Sequence, residues 1–134
     1  MPKEDYILKY LEKLSRVIAA MVGFRTKGFP EDGLRLVDET YKELINFSLD
    51  ELIVMPVDQF IEIIRKEGYN HSHLEVLAQL AHETANSFSA QGNHPNAKSF
   101  YQKSLQLYYL LNEKDKTFSF DREQIISELK QLTN

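Results

Sequence analysis

Cysteine and tryptophan are absent from this chain of 134 residues, and glycine and proline are scarce, with five and four residues. Without cysteine the chain cannot form a disulfide scaffold, a cysteine-ligated zinc or iron–sulfur site, or a thiol nucleophile. The few glycines and prolines also exclude collagen-like and low-complexity sequence. The length indicates a single domain that is large enough to bury a hydrophobic core without disulfides or metal.

Basic residues are outnumbered as well, because 16 lysines and arginines against 20 acids give a formal net charge of −4. Such a chain lacks the basic surface of a general nucleic-acid binder and the polybasic stretch of a membrane-surface protein. No apolar run is long enough to span a bilayer, and acids stand near the N-terminus where a signal peptide has cations. We therefore expect a cytoplasmic protein whose partners include neither nucleic acid nor membrane.

Apolar residues recur every three or four positions through most of the chain, which is the pattern of amphipathic helices. The first predicted helix covers about 4–26. Its apolar stripe consists of Ile7, Leu11, Leu14, Ile18, Met21 and Val22. No segment of useful length has the two-residue alternation of a strand. The sequence therefore predicts an all-α fold.

Proline, glycine and capping residues predict where the other helices begin. The second helix is expected from Pro30. Ser48 and Glu51 have the spacing of a capping box for a short third helix, which Pro56 interrupts before a restart near Val57.

The same signals divide the second half of the chain. Ser72, with Glu75 three residues later, predicts the start of the next helix. Another helix is predicted over about 95–112, and Asp121 with Gln124 predicts the start of the last one. The expected domain thus has about six helices, with hairpins over about 4–46 and 72–112, an irregular helical middle over 48–68 and a C-terminal capping helix over 121–133.

An internal repeat with an offset of 64 residues relates the two predicted hairpins. Four residues of the first hairpin align at equal spacing with four of the second: Phe24, Gly28, Gly33 and Val37 with Phe88, Gly92, Ala97 and Tyr101. Each block contains the end of one helix, a turn with glycine, a small residue and then a large one. Over 78–111, small residues at Ala85, Ala97 and Ser104 accompany the aromatic residues Phe88 and Tyr101.

This block resembles the tetratricopeptide repeat, a helix–turn–helix unit with small and aromatic residues at set positions. The resemblance implies a right-handed array of antiparallel helical hairpins. The opening Asp5-Tyr6-Ile7 and the helix order also resemble a family of small uncharacterised bacterial proteins with tetratricopeptide-like helices. An unrelated six-helix bundle is the alternative, since any helical hairpin needs small residues where its helices touch.

Polar residues share one face of the helix predicted from Ser72. Gln79, His82, Glu83 and Asn86 are three or four positions apart or adjacent, which groups them on one side of a helix. The tetratricopeptide resemblance implies that these positions line a concave groove for a peptide, with Asn86 placed to hold the ligand's backbone. No lysine or arginine occurs over 68–97, so a clamp for a C-terminal carboxylate is not expected. The alternative is an ordinary solvated face of an amphipathic helix.

The first helix is apolar on a second side. Through the 64-residue repeat, four positions of this helix correspond to the polar set described above. They are Ser15, Ile18, Ala19 and Val22. We expect this side to pack against the helix at 57–64, the C-terminal helix or a second copy of the chain. In the last case the protein is a structural homo-oligomer, such as a symmetric dimer, with no separate ligand.

All four histidines lie in the segment without lysine and arginine. His71, His73, His82 and His94 match no metal-binding spacing, and the chain has no nucleophile elbow, phosphate-binding loop or dinucleotide motif. We therefore expect no enzymatic activity, no cofactor and no metal, and we expect a protein or peptide as the partner. A metal or catalytic site in the histidine-rich segment is the third hypothesis.

Overall fold

A computed structural model describes the backbone of residues 3–134 and the side chains from residue 8 onward. The side chains of Asp5, Tyr6 and Ile7, on which one resemblance depends, lie outside the described residues. The described chain forms seven α-helices: α1 (Lys3–Thr26), α2 (Pro30–Ile45), α3 (Leu49–Val54), α4 (Val57–Lys66), α5 (His71–Ala90), α6 (His94–Lys114) and α7 (Phe120–Leu132). It contains no strand, so the predicted all-α class is confirmed.

Local signals set the helix boundaries in the first half. Gly28 has φ +90°, a left-handed conformation that lets the chain turn sharply between α1 and α2. Pro30 is the first residue of α2, where its missing N–H needs no partner. The Ser48 hydroxyl accepts a hydrogen bond from the Glu51 amide at 3.1 Å, and the Glu51 carboxylate accepts one from the Ser48 amide at 3.0 Å. The starts predicted at Pro30, at Ser48 and near Val57 are therefore confirmed, and the separate α3 and α4 account for seven helices rather than about six.

Two predicted helix caps are wrong. Asn70, not Ser72, caps α5, because its side chain accepts a hydrogen bond from the His73 amide at 3.0 Å. Ser119, not Asp121, caps α7, and Asp121 lies within the first turn of that helix. In both places two capping residues stand two positions apart, and each fits the local pattern.

The buried helix α5 organises the fold. It forms its most extensive contact with α6, and α1 and α2 both pack against it. α4 and α7 pack on α6, while α3 lies between α2 and α6. Eleven of the 20 residues of α5 are buried, which leaves it a narrow accessible side. Among residues 3–134, no helix combines the length and the apolarity that a membrane span requires.

Small residues allow close helix contacts in both hairpins. A Cβ atom added at Gly33 would stand only 3.3 Å from the Cα of Met21, so glycine permits the approach of α2 to α1. In the second hairpin, the hydroxyl of Ser104 donates to the carbonyl oxygen of Ala78 at 2.8 Å. The 64-residue offset aligns Met21 with Ala85 and Gly33 with Ala97. In the first hairpin the large Met21 therefore faces Gly33, whereas the corresponding residues of the second hairpin are two alanines.

Helices α1 and α5 run in the same direction. Near the beginning of α1 and α5, the rings of Tyr10 and His73 lie 5.5 Å apart, and towards their ends Arg25 contacts Glu83. On the other side, burial lowers the pKa of His82, and the nearby Glu128 of α7 opposes that shift. α5 therefore has charged neighbours from α1 and from α7 along its accessible side.

Candidate functional site

The accessible side of α5 is a narrow strip of mostly polar residues. Glu75, Gln79 and Ala90 are exposed, and His82 and Asn86 are half-buried. These residues follow one another at steps of three or four, so they form a single line along the helix. Three of the four residues predicted for a groove, Gln79, His82 and Asn86, lie on this strip.

The fourth, Glu83, lies apart from the strip. It is only 5% exposed and turned towards α1. Its carboxylate accepts hydrogen bonds from Arg25 Nε at 2.7 Å and Arg25 Nη2 at 3.0 Å, and from the Ser87 hydroxyl at 3.4 Å. Because the arginine uses both carboxylate oxygens, this bidentate ion pair joins α1 to α5 rather than offering a free acid to a ligand.

A polar network surrounds the middle of the strip. The hydroxyl of Tyr101 donates to Asn86 Oδ1 at 2.8 Å, and the ring of Tyr101 meets that of His82 edge to face at 5.9 Å. Burial raises the pKa of Tyr101 and lowers the pKa of His82. His82 therefore favours its neutral form. The hydrogen bonds found among residues 8–134 do not use Asn86 Nδ2, so this amide can donate to a ligand.

The predicted α1 residues border the same surface. Ser15 and Ala19 are exposed, whereas Ile18 and Val22 are half-buried. Ser15 and Gln79 line one depression of about 210 Å³ between α1 and α5. The two sets of residues predicted as separate sites thus adjoin each other at Ser15 and Gln79. We call this surface the groove and define it by Ser15, Ala19, Val22, Gln79, His82, Asn86 and Glu128.

The second side of α1 borders α5 and is only partly covered by it. Ile18 contributes to the core on that side. Three candidates were predicted to cover this side: the helix at 57–64, the C-terminal helix and a second copy of the chain. The first two do not, because α4 and α7 both pack on α6. Cover by a second copy stays a prediction.

A second cavity lies on the opposite flank of α1. It has a volume of about 430 Å³ and separates α1 from α2. Its lining consists of Lys9, Tyr10, Lys13, Leu14, Thr40, Glu43 and Leu44. Lys13 forms an ion pair with Glu43 there, so these lysines point away from the groove.

The four histidines do not converge. His71 and His94 are exposed first residues of α5 and α6. His73 completes the cap of α5 and packs against Tyr10 and Tyr69, and its burial lowers its pKa. Within the part of the chain whose side chains are described, no three histidine, aspartate or glutamate residues are arranged to hold a metal ion.

Three residues of the site were not predicted from the sequence: Arg25, Tyr101 as a neighbour of the strip, and Glu128. Arg25 and Glu83 are 58 positions apart, and no local pattern links them. The sequence contained one signal that Glu83 has a partner. This residue stands at the edge of the polar face, next to the side of the helix that packs against a neighbouring helix. A carboxylate buried there needs a cation.

No known protein family, curated protein or solved structure matches this chain. The function is therefore inferred from the residues of the groove.

Proposed function

We propose that this chain is a non-enzymatic interaction module that binds a segment of another protein in the groove. One observation carries the proposal: α5 is largely buried, yet Gln79, His82 and Asn86 remain accessible along one line of the helix. Polar side chains at the bottom of a helical groove can bind a peptide without any reactive group.

The helix order supports a tetratricopeptide-like array. The hairpins α1–α2 and α5–α6 lie side by side, their first helices pack together, and α2 also contacts α5. α7 follows α6 as the first helix of a third unit would. Stacked hairpins of this kind form extended concave binding surfaces. We propose that α1, α5 and α7 line this surface in a right-handed array, with α3 and α4 inserted between the hairpins.

The chemistry of the strip suits an extended peptide. Asn86 is held by Tyr101 through its oxygen, which orients its NH₂ group to donate to a peptide carbonyl. Gln79 offers a second amide about two helical turns earlier, and His82 offers an imidazole between them, whose pKa burial lowers. Hydrogen bonds to a ligand's backbone would give affinity that depends little on the ligand's side chains.

Partner capture with matched variants tests the proposal. The protein is used to isolate partners from the cells that contain it, and each partner is purified and its affinity measured directly. Replacing Gln79, His82 and Asn86 together by alanine should weaken the interaction by about tenfold or more. The control replaces Gln59, Glu62 and Lys66, exposed on α4, by alanine. A partner that binds both triple variants as tightly as the wild type would refute the groove.

The second candidate function is homo-oligomerisation through α1. It is favoured by the apolar strip that remains accessible on this helix, where Leu8 is 57% exposed and Val22 is half-buried. In that case Ala19→Glu should dissociate an oligomer that the wild type forms. Sedimentation of a wild type that stays monomeric at high micromolar concentration would eliminate this candidate.

A further inference from the structure

The exposed charges on the α7 side of the groove are acidic. Glu128 lies near His82, and Asp121 stands two helical turns before Glu128 on the same side of α7. Glu75 adds a third exposed acid at the beginning of the α5 strip. None of the three forms an ion pair with another described residue.

The cations near the groove are already engaged. Arg25 is paired with Glu83 through two hydrogen bonds, and Arg122 is buried in contact with Asp115 and Asn112. Lys130 is two residues from Glu128, which places it on the opposite side of α7.

Two further cations of α1 are Lys13 and Arg16. Lys13 pairs with Glu43 on the other flank of the helix. Arg16 is exposed and follows Glu12 by four residues, so an acid stands on the same helix face. No lysine or arginine occurs over 68–97. The groove therefore presents unpaired negative charge to a ligand.

Apolar surface lies beside this charge. On α1, Ala19 is exposed and Ile18 and Val22 are partly accessible. On α7, Leu132 is 42% exposed and stands one turn after Glu128. A ligand that fills the groove therefore meets apolar side chains of α1 and α7 as well as carboxylates.

We infer that the occupant of the groove is an extended protein segment that contains lysine or arginine together with large apolar residues. This inference rests on the proposed function and specifies its partner. The basic residues face Glu75, Asp121 and Glu128, the apolar residues contact the accessible strip of α1, and Asn86 holds the backbone. Complementary charge of this kind selects partners and accelerates association, and its effect decreases with salt.

Selection from a phage-displayed library of random peptides tests the inference on the full chain. Enriched peptides are synthesised, and their affinities are measured by fluorescence polarisation at low and high salt. We expect enrichment of lysine or arginine next to large apolar residues, with affinity that falls as salt increases. Glu128→Lys should weaken binding by about tenfold. Glu39→Lys makes the same change in net charge on the outer face of α2 and should leave the affinity unchanged.

The outcomes separate this inference from the proposed function. Peptides that lose affinity in the Gln79, His82 and Asn86 triple variant but are acidic or uncharged would overturn the inference and leave the groove as a binding site. Peptides that bind the triple variant as well as the wild type would overturn the proposed function. Equal effects of Glu128→Lys and Glu39→Lys would show that only net charge matters, which also overturns the inference. The same selection can be repeated with the Glu128→Lys variant as the target. Enrichment of acidic peptides in that selection would support the inference.

Discussion

At the scale of single residues, the most unusual environment belongs to Lys103 on α6. It is 1% exposed, and its Nζ donates to the Ser99 hydroxyl at 2.8 Å and lies 5.3 Å from the ring centroid of Phe100. Ser99 in turn donates to the carbonyl of Ile53 at the end of α3. No described carboxylate pairs with this ammonium, and burial lowers the pKa of Lys103 to about 8.

Lys103→Met should therefore stabilise the protein at neutral pH. The folded pKa is below the ordinary value of 10.5, so the cost of the buried charge is fully present below pH 8 and decreases as the pH rises towards 10.5. We expect a gain of about 2 kcal/mol in the free energy of unfolding near pH 7 and a smaller gain near pH 9.5. Urea denaturation at both pH values measures it. Lys98→Met, exposed on the same helix, is the control, and an equal gain at both pH values would contradict the prediction.

The ion pair of Arg25 and Glu83 is the second residue-scale feature. Arg25→Met leaves a buried carboxylate without its cation, and we expect a loss of about 1–3 kcal/mol in the free energy of unfolding. The double variant with Glu83→Gln should lose less than Arg25→Met alone, because no buried charge then remains. Chemical denaturation of the wild type, the two single variants and the double variant measures the cycle. Lys13→Met, which breaks the exposed pair with Glu43, should cost under about 1 kcal/mol. An equal loss at both arginine and lysine would contradict the prediction.

At the scale of elements, the helices follow from local sequence, whereas their ends do so only in part. Periodicity, Pro30, Ser48 and Pro56 were sufficient for α1 to α4. The caps of α5 and α7 were misassigned because two capping residues compete within one turn. In α5 the residue used is the one whose partner His73 packs against Tyr10 of α1, with ring centroids 5.5 Å apart.

The cap of α5 gives an element-scale prediction. Asn70→Ala removes the acceptor for the His73 amide and should cost about 1 kcal/mol in the free energy of unfolding. Ser72→Ala should change it by only a few tenths of a kcal/mol, because Ser72 is already within the helix. Thermal denaturation of both variants and the wild type measures the two changes in the free energy of unfolding. Equal losses, or a larger loss for Ser72→Ala, would restore Ser72 as the cap.

At the scale of the whole molecule, two partly buried histidines make the fold sensitive to mild acid. Burial lowers the pKa of His73 and of His82 below the ordinary value of 6.5. The unfolded chain therefore binds protons first as the pH falls, and stability decreases from about pH 7 downwards.

We expect a lower urea midpoint at about pH 5 than at about pH 7.5, before most carboxylates are protonated. His82→Gln should reduce the difference between the two midpoints. His71→Gln, at an exposed position, should not. A midpoint that is the same at both pH values in the wild type would contradict this prediction.

The candidate site was predictable to the extent that it depends on one helix. Gln79, His82 and Asn86 share a face because of helical spacing alone, and that face remains accessible. Glu83 was grouped with them, but a rotation of about 100° per residue turns it into the contact with α1. Its cation comes from a different helix, and a spacing rule within one helix contains no information about that neighbour.

By itself, the sequence determined that the protein is all-α and where most helices begin, because these properties depend on side chains within about four residues of each other. Only the tertiary structure decided that α5 packs between α1 and α6, that Arg25 neutralises Glu83, and that Lys103 is buried without an acid. It also brought Ser15 of α1 and Gln79 of α5, predicted on separate surfaces, to one depression. These features depend on contacts between helices far apart in the chain, which the packing of the core selects.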